Sequence, residues 1–232
     1  MKSTKKLGDR AILIGGGFSI KEGVQKGLWS KLKNEDTWSM NSIYKIMPYR
    51  PTRQLWVDIS FFKHEVANLQ ILYTEGVELI SRSTRNWAPI SDHITTYGSS
   101  RERKNYFGKK AIEKNEIYYG RMGLVGQFGL GVALARGYKE IYLLGYDFGS
   151  PNLNIKNTHV YQDRIPELNI HSSGAGRPIV YLRPDGKLKD EIKDWDMYSK
   201  EEGVKIWNVS LISNLPYFDR ISYDAFFQLI GE

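Results

Sequence analysis

The sequence predicts an α/β protein built on a Rossmann-like, mostly parallel sheet with helices on its faces. Three observations carry that expectation. Ala11-Ile12-Leu13-Ile14 is a short apolar run that feeds directly into Gly15-Gly16-Gly17, the pattern of a strand buried on both faces that opens into a tight loop. Ile141-Tyr142-Leu143-Leu144-Gly145 repeats that pattern later in the chain. Between such runs lie stretches with apolar residues at helical spacing, the alternation that a parallel sheet requires. At 232 residues the chain is long enough for one well-cored domain and short for two, so residues 1–232 read as a single domain.

The elements follow in order. After the glycine loop, Val24, Leu28 and Leu32 fall at four-residue steps and predict a helix over 21–33, with Lys21, Lys26, Lys31 and Lys33 on its solvated face. Thr37-Trp38-Ser39-Met40 reads as the second strand, ending at Asn41, and Pro48 and Pro51 mark the loop after it. Leu55-Trp56-Val57-Asp58-Ile59 reads as the third strand. It puts Asp58 near the carboxyl end, where ligands collect in open parallel sheets. A helix from about Phe61 to Tyr73 leads to a strand over 76–81, and residues 82–121 then show little clean periodicity. Order returns where Val125, Phe128, Val132 and Ala135 share a helical face and Gly126, Gly129 and Ala133 form a small-residue side that lets the helix approach a sheet closely. The strand ending at Tyr146-Asp147-Phe148 follows. Residues 149–186, rich in Asn, Gly, Pro and Ser, read as a loop-rich lid. A helix over 187–202, a last core strand over 205–209, and a final helix over 223–230 capped by Ser222 complete the chain.

The glycine loop suits a nucleotide phosphate, because backbone without side chains lies close to a ligand. Gly15-x-Gly17-x-x-Ile20 carries only two of the three glycines of a dinucleotide fingerprint. The acidic residue wanted about 20 residues further on, to hold a ribose hydroxyl, is replaced by Asn41. NAD thereby loses its specific support. A nucleotide of another kind is the better reading, with a bare structural turn as the alternative.

Composition narrows the partners. A formal charge of +7 and a pI near 9.3 favour anions. Between Arg82 and Arg121 nine basic residues stand against four acidic ones, a local balance of +5. Trp87, Tyr97, Tyr106, Phe107, Tyr118 and Tyr119 interleave with them. Such a mixture serves nucleic-acid grooves, and equally a solvated surface over core aromatics. DNA is therefore a candidate partner through this segment, with Arg101, Arg103 and Lys104 on the acceptor side. The chain has no cysteine, which excludes disulfides, thiolate metal sites and a cysteine nucleophile and fits a cytoplasmic protein. No apolar run is long enough to span a bilayer, and the basic start lacks the features of a signal peptide. Nothing in the sequence sets the oligomeric state.

Two stretches carry a resemblance. Gly15-Gly16-Gly17-Phe18-Ser19-Ile20-Lys21-Glu22, together with the run from Val132 to Phe148 (VALARGYKEIYLLGYDF), resembles the bacterial lipooligosaccharide sialyltransferases. It is also similar to a broader superfamily, often phage-encoded, that includes the archaeal hydroxymethylpterin diphosphokinases. The resemblance implies a glycosyltransferase-like fold binding an activated nucleotide. It implies that Gly15, Gly17 and Ser19, with Gly16 between them, form the donor loop and that Asn41 touches the donor. Asp58 falls where the sialyltransferases have a donor-contacting asparagine, Arg121 lies beside an acceptor-contacting arginine, and Asp147 matches the aspartate that closes the strand.

The chain departs from that family at the general base. The family's histidine position falls near Gly186, where there is none; His159 and His171 are the nearest candidates. An imidazole whose ordinary pKa is about 6.5 can deprotonate a hydroxyl there, and Asp147 and Asp163 are carboxylate alternatives. Tyr161 and Tyr181 are candidate lid tyrosines. Asp194-Trp195-Asp196 has the form of a metal-binding pair, but helical residues two apart point to different faces, so no metal is assigned. The expectation is a glycosyltransferase moving a sugar from a nucleotide-sugar donor to a hydroxyl, either on a hydroxymethylated base of phage DNA, a DNA modification, or on a glycan. The alternatives are a diphosphokinase using ATP and Mg²⁺, and an inactive nucleotide-binding module.

Overall fold

The computed structural model describes residues 8–82, 87–99, 116–117, 124–148 and 187–231. Among them the strands are β1 (Arg10–Ile14), β2 (Thr37–Met40), β3 (Arg53–Leu55), β4 (Glu78–Arg82), β5 (Ile94–Ser99), β6 (Glu116–Ile117), β7 (Glu140–Leu144), β8 (Lys205–Asn208) and β9 (Asp219–Arg220). They form one open sheet in the order β6-β5-β4-β3-β2-β1-β7-β8-β9, and every neighbouring pair is parallel. The helices are α1 (Ile20–Gln25), α2 (Leu28–Leu32), α3 (Ile59–Thr74), α4 (Val125–Ala135), α5 (Lys187–Glu201) and α6 (Tyr223–Gly231). The expected α/β class is what the chain adopts.

The strand order makes the fold doubly wound. The chain begins in β1, adds β2 to β6 on one side, then returns to lay β7 on the other side of β1. The carboxyl ends of β1 and β7 therefore flank the topological switch point, the place where ligands bind in open sheets of this kind.

Burial on both faces explains the apolar strand runs. Ala11 and Leu13 of β1 pack with Phe128 and Leu130 of α4 and Trp195 of α5, while Ile12 and Ile14 pack with Ile20, Leu28 and Phe226 from α1, α2 and α6. All four strand residues are fully buried, so no position in the strand can be polar at low cost. Full burial of each Ile or Leu is worth about 1.5–3 kcal/mol. Along the sheet, α3 covers the side shared by Trp56 and Leu79, with Phe62, Leu69 and Trp87, while Ile80 faces the opposite cluster.

Four expectations need adjustment. The helix read over 21–33 is two short helices, because Gly27 at φ +83° breaks it. The third strand is shorter and earlier than expected, and α3 already begins at Ile59. The basic segment contains β5 and β6, and its Trp87 and Tyr97 are core residues rather than exposed stacking platforms. β9 lies beyond the strand taken as the last.

At the amino edge of the sheet a buried charge network ties β2, β3 and β4 to the end of α4. Arg53 pairs with Asp36 and, at 2.9 Å, with Glu78. Arg136 grips both oxygens of Glu78 at 2.8 and 2.7 Å and donates to the Tyr97 hydroxyl at 3.1 Å. Asp36 also accepts from Tyr138 (2.5 Å), Thr52 (2.6 Å) and Trp38 (3.0 Å). Every polar group in this network has a partner, which makes its burial tolerable.

Candidate functional site

The glycine loop after β1 lies directly against the loop after β7. Gly15 N–H donates to the Leu144 carbonyl at 2.8 Å and Gly17 N–H to the Gly145 carbonyl at 2.9 Å. A Cβ on Gly17 would sit 2.5 Å from the Gly145 carbonyl oxygen and 2.6 Å from an Asp147 carboxylate oxygen. One on Gly145, whose φ is +67°, would meet the Gly15 carbonyl oxygen at 2.5 Å. These glycines are required by close approach of the two loops. The amides of Gly16 and Phe18, in the half-buried part of the loop, donate to no backbone carbonyl among the described residues. They take no part in the backbone bonds that join the two loops.

Asp147 is the pin of this junction. It is 2 % exposed, and its two carboxylate oxygens accept from Ser19 N–H at 2.7 Å and Ser19 Oγ at 2.6 Å. Its carbonyl accepts from Asn214 N–H at 2.9 Å, and Ser213 Oγ donates to the Tyr146 carbonyl at 2.7 Å. The carboxylate thus couples the β1 loop to the β7 loop, and a third loop, after β8, bonds to the β7 loop. Tyr223 of α6 lies under α1, where a Cβ on Gly23 would run into its ring. Burial, with the Asp147 charge adding to it, pushes the Tyr223 hydroxyl well above its ordinary range.

Asn41 stands at the carboxyl end of β2 with φ +51°, an uncommon backbone state that Asn tolerates better than most residues. Gln54 of β3 holds it there by donating from Nε2 to the Asn41 carbonyl at 2.9 Å. The 3-10 turn Asn41–Lys45 is anchored from the other side by Glu65 of α3. Glu65 is 5 % exposed and accepts from Tyr44 (2.5 Å), Lys45 (2.6 Å) and Asn68 (2.8 Å). Burial works to raise its pKa, but the bonds from Lys45, Tyr44 and Asn68 outweigh it and hold the carboxyl below its ordinary value. The Asn41 side-chain oxygen is buried and has no hydrogen-bond partner among the described residues, the state of an acceptor that a ligand N–H or O–H would satisfy.

Asp58 lies exposed at the same edge, between β3 and α3. On the far side of the β7 loop, Tyr146, Phe148, Trp195 and Leu215 line a half-open hollow of about 10 Å³, room for one water. Asp194, Trp195 and Asp196 all lie on α5, where Trp195 is buried and Asp196 pairs with Lys200 at 2.8 Å. Among the described residues no group of three His, Asp or Glu side chains could hold a metal ion, and no helix is long and apolar enough to cross a membrane.

Gly15, Gly16, Gly17, Ser19, Asn41, Asp58 and Asp147 are thus all on the carboxyl edge of β1, β2, β3 and β7. His159, His171, Asp163, Arg101, Arg103, Lys104, Arg121, Tyr161 and Tyr181 lie outside the described residues. Gln54, Glu65, Ser213 and Tyr223 were not singled out in the sequence. For Gln54 a signal existed, a polar residue inside a short strand; for the others the partners are too distant in sequence to be read.

No family model matches the sequence, and no curated protein matches it. Among solved structures, the MAf glycosyltransferase from Magnetospirillum magneticum AMB-1 is similar, with a TM-score of 0.56 and 16 % sequence identity over 96 % of this chain. This chain spans about a third of that protein, 35 % of its length. At that identity the likeness shows the fold.

Proposed function

We propose that this chain is a glycosyltransferase that moves a sugar from a nucleotide-sugar donor to a hydroxyl acceptor. The observation that carries the proposal is the carboxyl edge of β1 and β2, beside the switch point at β7. Its backbone donors at Gly16 and Phe18 and the unpartnered Asn41 oxygen share one sheet edge, on a fold similar to a solved glycosyltransferase. In this reading the two amides bind the donor phosphate and Asn41 contacts the donor beside it. Fixed backbone donors stabilise the charge that develops on a departing nucleotide without needing to reorganise. Ser19 and Asp147 keep the two loops in register, since the Asp147 carboxylate is already occupied by Ser19. Mg²⁺ has no assigned role here.

The local +5 balance of residues 82–121 favours an anionic acceptor, and a hydroxymethylated base in DNA fits that charge. Trp87 and Tyr97 are core residues and take no part in stacking on such an acceptor. Melting the protein with UDP-glucose, CMP-sialic acid and ATP plus Mg²⁺ tests the donor. A rise with a nucleotide sugar supports transfer; a rise only with ATP and Mg²⁺ replaces it with diphosphate transfer. Stabilisation by a nucleotide sugar without any turnover marks an inactive binding module. DNA binding that does not weaken with added salt removes the nucleic-acid acceptor.

A further inference from the structure

Glycosyl transfer to a hydroxyl with inversion needs a base at the acceptor oxygen, and among the described residues two carboxylates stand just past the carboxyl ends of the central strands. Asp147 is one, but both its oxygens accept from Ser19 and only 2 % of it is exposed. A carboxylate committed in this way has no open lone pair directed at a substrate. Asp58 is the other. It occupies the N-cap position of α3 with extended backbone (φ −94°, ψ 132°), yet its side chain does not cap the helix. Among the described residues the Asp58 carboxylate has no hydrogen-bond or ion-pair partner, and it is exposed.

Its mounting is rigid. Trp56 and Val57 before it are buried, Trp56 stacks on Phe62 at 6.2 Å, and the Asp58 carbonyl accepts from Phe62 N–H at 3.2 Å. An unspent carboxylate on a fixed element is what a general base requires. Asp58 follows β3, two strands from β1, a lateral offset of about 10 Å at the usual strand spacing. That offset leaves room for a phosphate and a sugar ring between the glycine loop and the carboxylate, with Asn41 on the strand between them.

We infer that Asp58 is the general base of the proposed transfer, a role that rests on the glycosyltransferase reading. The Asp58 carboxylate takes the proton of the acceptor hydroxyl as its oxygen forms a bond to the anomeric carbon. The bond from that carbon to the donor phosphate breaks, and its electron pair leaves on the phosphate oxygen of the nucleotide. Asp58 then returns the proton to solvent. One displacement of this kind inverts the anomeric configuration.

The test uses the full chain and the donor, UDP-glucose or CMP-sialic acid, that raises the wild-type melting temperature. Turnover is read as nucleotide release, with water as acceptor where no other is supplied. Asp58→Asn is expected to keep the unliganded melting temperature and the donor-induced rise, while kcat falls roughly 100-fold or more with little change in KM. Added formate is expected to restore part of the turnover of Asp58→Gly. Full turnover in Asp58→Asn overturns the inference while leaving glycosyl transfer standing, and so does loss of the donor-induced rise, which makes Asp58 a donor-binding residue. A wild type stabilised by neither sugar donor overturns the transferase reading and this inference with it.

Discussion

At the scale of single residues, the glycines of this protein divide by what they touch. Gly17→Ala places a methyl carbon against the Gly145 carbonyl and the Asp147 carboxylate, neither of which can move without parting the two loops. Its expected cost is about 1–3 kcal/mol of stability, together with loss of nucleotide binding. Gly129→Ala meets the terminal methyl of Met40, the flexible end of a side chain. Relief of glycine's helix penalty, about 1 kcal/mol, offsets that crowding, so a nearly unchanged urea midpoint is expected. Equal losses in the two variants would show that the Gly15–Gly17 contact with the β7 loop is not what requires the glycine. Both glycines stood out in the sequence as permissive positions. Which of them faces backbone and which faces a side chain depends on a neighbour more than 80 residues away, and no local pattern reports it.

At the scale of elements, the turn carrying Asn41 depends on α3. Glu65→Ala removes the acceptor of Tyr44, Lys45 and Asn68 together, and freeing the turn is expected to weaken nucleotide binding more than it lowers stability. Glu75→Ala, which cuts only the exposed pair with Arg50 at the far end of α3, is the control and is expected to leave binding unchanged. A calorimetric titration that finds the same affinity in both variants contradicts this role for Glu65. The charge network at the opposite edge makes a separate prediction. Burial works to raise the Glu78 pKa, but Arg136 and Arg53 outweigh it and hold the carboxyl below its ordinary 4.5. With the folded value below the unfolded one, the stabilisation is complete above 4.5 and is lost as pH falls through the lower folded value. Arg136→Met is expected to destabilise by about 3–5 kcal/mol at neutral pH and to flatten the acid limb of the stability curve. Urea midpoints measured from neutral pH to below 4.5 check both. The strands β1 and β7 were legible because burial on two faces leaves a continuous apolar run. β5 was not, because Ile94-Thr95-Thr96-Tyr97-Gly98-Ser99 is half polar and sits among charges that dominate the local composition.

At the scale of the whole molecule, the strand order places the site. The chain's return from β6 to β7 puts the second glycine-bearing loop beside the first, and their contact brings Ser19 onto Asp147 across 128 positions of sequence. The residues of the proposed donor side could be named from sequence because each follows the end of a strand, where a parallel sheet gathers its ligands, and because the resemblance places them there. Their division of labour could not. Asp147 reads as a reactive carboxylate at a strand end until Ser19 is seen to occupy it, and Asp58 reads as one more strand-end residue until its side chain is seen to be unspent. The central claim is that the carboxyl edge of β1 and β2, beside the switch point at β7, binds a nucleotide-sugar donor, and thermal unfolding with UDP-glucose, CMP-sialic acid and ATP plus Mg²⁺ tests it most directly. At a hundredfold excess over Kd, one of the nucleotide sugars is expected to raise Tm by roughly 5–10 °C, and Gly17→Ala to abolish the rise. Unchanged Tm with both nucleotide sugars, or a rise that Gly17→Ala leaves intact, would contradict it.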